Sequence, residues 1–192
     1  MITSDLFYPA FDAGLAAAGL PASFRRRRGK PSKYDCVLPD ETLEFRFQIN
    51  PKASAIPHQP GQFRPSITAP DRVSDRDDAT VSWYQYADEA MIAAFLAQQA
   101  RVRDHVAAQT EFEVDIWREQ RDVSLRTMQS FIDLGLRAAW PDSGLYYLDE
   151  SDAHAWGRLI GAQLPTWIER YTARPETLDA YMWRVHWGGQ PA

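Results

Sequence analysis

Four histidines, one cysteine and several grouped acids are the side chains of this chain suited to acid–base, nucleophilic or metal chemistry. His58, His105, His154 and His186 lack the i, i+4 spacing that sets two imidazoles on one helix face, and Cys36 alone cannot build a thiolate site. The histidines are expected as surface or hydrogen-bonded core groups. Cys36 lies in an apolar run, where burial makes a thiol a small, inert hydrophobe. The stretch Pro39 to Arg46, PDETLEFR, has the outline of a nuclease metal site, with Asp40 and Glu44 as ligands. The position that would carry a lysine holds Arg46, however, so a charged hairpin turn is expected. Phosphate-cradling glycine loops and nucleophile-elbow motifs are absent from the sequence. No catalytic residue, metal or cofactor is assigned, and the chain reads as a binding protein rather than an enzyme. A catalytic site assembled from scattered residues stands as an alternative, because such groups often meet only in the fold.

Two charged segments are the candidate partner-binding sites. Ser23 to Lys30 read SFRRRRGK, in a chain of net charge −5. In extended backbone Arg25 and Arg27 point one way and Arg26 and Arg28 the other, so neither face is apolar and an edge strand is expected. Arginine's planar fork also suits phosphate, which makes nucleic acid a second alternative. A nucleic-acid binder usually carries a broader basic face, and the net charge here is negative, so that partner is disfavoured. The second segment, Asp142, Asp149, Glu150 and Asp152, has no basic residue between its members. It is the expected docking face for a basic protein surface, and Arg25 to Arg28 the face for an acidic one.

The elements that must position these residues follow from periodicity. Phe7, Phe11 and Leu15 mark a helix over about residues 4–18, stopped by Gly19 and Pro21. The run YDCVL, a PDET turn and the strict alternation of LEFRFQIN then predict an antiparallel hairpin. Phe45 and Phe47 should be buried there, with Glu44 and Arg46 exposed. Pro51, Pro57, Pro60, Pro65 and Pro70 argue against a central strand between 51 and 70 and leave QFRPSI as an edge strand. TVSWYQY reads as a strand. Asp88 caps a helix whose buried face is Met91, Phe95, Gln99, Val102 and Val106. Residues 110–117 fit strand or helix, 122–139 a helix, and SGLYYL a short strand. Ser151 opens a long helix with Trp156, Leu159, Ile160, Leu164 and Trp167 on one stripe and Pro165 inside it, either kinked there or broken in two. One more short helix is expected at ETLDAYM. The whole is α+β: an N-terminal helix, an antiparallel sheet built on a hairpin, then a helical C-terminal half, in a single domain over residues 1–192.

With 45% hydrophobic residues, seven tryptophans and eight tyrosines, the chain can bury one sizeable core. No apolar run reaches the roughly 20 residues of a membrane span, and acids stand where a signal peptide needs basic residues. One cysteine fits a reducing compartment, so a cytoplasmic location is expected. Residues 1–33 hold six basic groups against two acids, net +4, which leaves −9 for the rest. A bipolar chain of this kind can steer a charged partner.

The opening helix ending in Gly-Leu, the basic stretch, FRFQIN, and the closing YYLDESDAHAWGRLIGAQLPTWIERY resemble a family of uncharacterised bacterial domains. In that family a C-terminal helix is interrupted by Leu-Pro, here Leu164-Pro165. The resemblance implies a small cytoplasmic domain encoded near polymorphic toxins, an immunity protein that neutralises a secreted toxin by direct binding. It carries no catalytic residues and covers the two ends of the chain.

Overall fold

The structure, a computed structural model, describes residues 2–20, 23–39, 42–50, 59–68, 80–82, 87–112, 114–134 and 144–173. The elements run α1 (Ser4–Ala17), β1 (Phe24–Arg26), β2 (Lys33–Val37), β3 (Thr42–Ile49), β4 (Gly61–Thr68), β5 (Thr80–Ser82), α2 (Glu89–Ala107), α3 (Asp115–Leu134), β6 (Leu145–Tyr147) and α4 (Glu150–Ala173). This is the expected α+β order. The strands form one antiparallel sheet, β1-β2-β3-β4-β5, with β6 also paired to β4.

Alternation explains the sheet. Tyr34 and Cys36 of β2, and Leu43, Phe45, Phe47 and Ile49 of β3, point to the core. There they meet α1 and α4: Phe11 packs on Phe47 with ring centroids 4.8 Å apart, Phe7 on Phe63 at 5.4 Å, and Trp167 on Phe45 at 5.7 Å. These rings belong to one contiguous core that also takes in α2 and β6.

β4 departs from the sequence expectation, because it is interior rather than an edge. The reason is local. Asn50 N–H donates to Gln62 O at 2.7 Å, so the even-numbered residues of β4 bond toward β3 and the odd-numbered ones away from it. On that far side β6 covers Gly61 to Phe63 and β5 covers Ser66 to Thr68. Pro65 falls in the gap between them, where its missing N–H leaves no ladder bond unmade.

The two long helices meet through small residues. A Cβ on Gly14 would lie 2.1 Å from His154 O, one on Gly157 2.1 Å from Phe11 O, and one on Gly161 2.7 Å from the Ala18 methyl. Gly14 of α1 and Ala18 at its C-cap thus face Gly157 and Gly161 on α4, each pair at i, i+4 spacing. Gly161 serves this contact. α4 runs unbroken through Pro165.

α3 begins at Asp115, which resolves residues 114–117 as a helix entry, with Val114 and Ile116 exposed. The expected strand TVSWYQY is described only as β5, and the expected helices only to Leu134 and Ala173. The rest of these segments, together with the short helix at ETLDAYM, lies outside the described residues. Among the described residues, no helix is long and apolar enough to cross a membrane.

Candidate functional site

Arg25 to Arg28 enter the fold as β1 and the turn after it. Arg26 points toward α1 and pairs with Asp12 at 2.7 Å. Tyr34 also donates its hydroxyl to Asp12. Burial, and then that carboxylate, push the Tyr34 phenol far above its ordinary range. α1 therefore holds the β1–β2 hairpin through the polar contacts of Asp12 as well as through Phe11 against Tyr34.

The opposite face of the hairpin is mostly charged. Arg25 stands across from Asp35, and Asp35 across from Glu44. Arg27 N–H donates to Lys33 O at 2.8 Å, and Lys33 is paired with Arg46. Arg27, Lys33 and Arg46 thus lie side by side on three adjacent segments of the sheet. Like charges so placed repel, and two carboxylates answer them. Asp35 accepts from Arg27 Nε at 3.1 and 3.2 Å. Glu44 accepts from Arg27, from Lys33 at 3.2 Å and from Arg46, and its other oxygen lies 3.0 Å from Lys33 Nζ.

Glu44 corrects an expectation of exposure. It points outward, yet its side chain is only 6% exposed, because three cations close over it. Burial alone would raise its pKa; the hydrogen bonds from Arg46 and Lys33, and their charges, outweigh that and hold it below the usual 4.5. With both oxygens held by cations, Glu44 is a poor metal ligand, and Asp40 lies outside the described residues.

Arg25, Arg28 and Lys30 are exposed, with no ion-pair partner among the described residues. Two consecutive turns, Lys30 N–H to Arg27 O at 3.2 Å and Lys33 N–H to Lys30 O at 3.0 Å, shape the connection. Gly29 takes φ +71°, the left-handed region that a side chain resists. Arg26 to Pro31 line an open hollow of about 400 Å³.

The acidic segment is placed differently. Asp149 sits before α4 and accepts from Ser151 N–H at 2.8 Å and Asp152 N–H at 3.2 Å, which makes it the helix cap. Ser151, the expected cap, donates its hydroxyl to Asp149 at 2.7 Å instead. Burial would raise the Asp149 pKa, but these bonds and His105 hold it below 3.8. Asp152 is buried. It accepts from Leu148 N–H at 2.8 Å and meets His105 Nδ1 at 3.1 Å, and desolvation raises its pKa despite both contacts. His105 Nε2 lies 3.6 Å from Asp149. The trio gathers ligand-type atoms within 4.8 Å, but its bonds already join α2 to the start of α4. Glu150 is exposed, and Asp142 lies outside the described residues.

In the sequence, Glu44 and Arg46 stand out only as part of a nuclease-like motif and are not grouped with Lys33 and Asp35. The signal was available: i, i+2 spacing in KYD and in EFR puts each pair on the outer sheet face. No family model matches the chain, and neither a curated protein nor a solved structure is significantly similar to it.

Proposed function

We propose that this chain is a cytoplasmic binding module for another protein, with no chemistry of its own, and that its partner is a bacterial toxin which it neutralises. One observation carries the reading. α1 and α4 cover one face of the sheet, while the face bearing Arg25, Arg27, Lys33, Asp35, Glu44 and Arg46 is covered by no helix among the described residues. Its ion-pair network, centred on the buried Glu44, ties β2, β3 and Arg27 together before any partner arrives, and preorganisation of this kind lowers the cost of association. Charge complementarity on such a face speeds encounter and rejects wrong partners. The resemblance read from the sequence, of the two ends to uncharacterised bacterial domains some of which are encoded beside toxins, makes an inhibitor the concrete form to test.

The experiment is co-expression with the product of a toxin-like gene lying beside this one. Restored growth and a stable one-to-one complex on size exclusion are expected. Turnover on a substrate panel, with no copurifying protein and no protection, would replace the binding reading with an enzymatic one.

A further inference from the structure

The charges left over after internal pairing identify the docking surface and its partner's chemistry. Apart from Arg26, which pairs with Asp12, six cations of β1, β2, β3 and residues 27–30 (Arg25, Arg27, Arg28, Lys30, Lys33 and Arg46) stand against two carboxylates, Asp35 and Glu44. Both carboxylates are already engaged by Arg27, Lys33 and Arg46. The excess therefore resides on Arg25, Arg28 and Lys30 at the open edge, beside the half-exposed heads of Arg27 and Arg46. Gathering six cations costs the fold electrostatic energy, and an anionic partner offsets that cost on docking.

The acidic segment does not compete for this role. Asp152 is buried against Leu148 and His105, and Asp149 gives one carboxylate oxygen to the cap of α4, so the segment offers a partner less unengaged charge than the hairpin.

We propose that the face formed by Arg25, Arg28 and Lys30 with the Arg27–Lys33–Arg46 row docks an acidic protein surface, carboxylates seating in the hollow lined by Arg26 to Pro31. The inference rests on the binding reading above and names its site. Two observations favour a protein over nucleic acid. The basic residues concentrate on the hairpin and the adjoining Arg64, in a chain of net charge −5, so the patch lacks the broad basic face a long polyanion needs, while a compact acidic surface can match it. The surroundings are those of a protein contact: Val37 is 45% exposed at the rim, Gln48 and Arg64 lie exposed on the neighbouring strands, and among the described residues no aromatic ring is exposed for base stacking.

The test uses the full chain, the triple variant R25E/R28E/K30E and the control E150K. None of the four positions makes an ion pair among the described residues, but R25E sets a glutamate across from Asp35, so a thermal scan first establishes that each variant is folded at the assay temperature. Fluorescence anisotropy is read with a labelled short polyglutamate peptide and a labelled single-stranded oligonucleotide across a salt series. Wild type and E150K should bind the peptide at low salt, and the triple variant at least about tenfold more weakly, as reversal of several cations at a steered contact implies. Tighter binding of the oligonucleotide would overturn the choice of protein, and equal peptide binding by the triple variant would overturn the surface. The co-expression complex separates the two readings. A complex that survives in the triple variant sinks this docking face and leaves the binding function standing. Absence of any wild-type complex sinks the binding function, while the peptide titration still judges the patch.

Discussion

Gly157→Ala is the sharpest probe of how the fold holds its charged hairpin in place. An alanine methyl at 157 would lie 2.1 Å from Phe11 O and 3.0 Å from Leu15 N, both backbone atoms of α1. No rotamer change can relieve such a contact, so α1 and α4 must separate locally. Overpacking of a well-filled core costs about 1–3 kcal/mol, and a backbone clash belongs at the upper end of that range. Alanine regains about 1 kcal/mol over glycine in a helix interior. The expected net loss is therefore about 2 kcal/mol, the difference of those two effects. For a chain of this size that is a fall in Tm of roughly 4–8 °C. Urea unfolding followed by circular dichroism supplies the free energy, and a thermal scan the midpoint. Gly19→Ala is the comparison, because nothing lies within 4 Å of its Cβ and only the φ of +73° opposes it. It should cost about 1–2 kcal/mol through backbone strain alone. A Gly157→Ala protein as stable as wild type would refute the close backbone approach of α1 to α4. The consequence reaches the proposed docking face, since Asp12 of α1 anchors both Arg26 and Tyr34.

Two further outcomes follow from the ion pairs and the cap. Glu44 has a folded pKa below the usual 4.5, so its share of stability is present above that pH and is lost as pH falls through the folded value. Glu44→Gln should accordingly be less stable than wild type near neutral pH and converge on it in acid; a gap in urea midpoint that stays constant with pH would contradict the network. Asp149→Ala removes the acceptor for two N–H groups at the start of α4 and should cost about 1 kcal/mol, while Asp149→Asn, which keeps a side-chain oxygen, should cost less. Equal losses in the two variants, measured by chemical denaturation, would show that Asp149 acts by charge and not as a cap.

Much of the fold is legible in the sequence because two periods dominate this chain. LEFRFQIN alternates, and its four apolar residues are the inner face of β3. Met91, Phe95, Gln99, Val102 and Val106 recur at helical spacing and are all buried. Pro65 misleads because proline reports on one side of one residue, while the strand's place in the sheet is settled by where its neighbours end. Gly157 and Gly161 are legible as small residues but not as a contact surface, because their partners, Gly14 and Ala18, lie at the other end of the chain. Alternation over a few residues is an equally weak guide at residues 110–117. Phe112, Val114 and Ile116 fit a buried strand face, yet Val114 and Ile116 are exposed at the entry to α3.

The two charged segments show most plainly why a site is harder to read than a fold. In sequence the acidic group reads as free because no basic residue interrupts it, and the arginine run reads as a blunted edge. Charge that is isolated along the chain need not be isolated in space. Asp149 and Asp152 meet backbone N–H groups within three or four residues, together with His105 from α2. Capping is a local demand of α4, whose first N–H groups have no partner inside the helix, so acids at its start are drawn inward. The cations face the reverse situation. Pairing β1, β2 and β3 brings Arg27, Lys33 and Arg46 into one row, and Asp35 and Glu44 are the carboxylates that balance it. Balancing the row uses both carboxylates and leaves Arg25, Arg28 and Lys30 over. The sheet's register, which no single segment encodes, decides which charges of the basic end are balanced and which are left over.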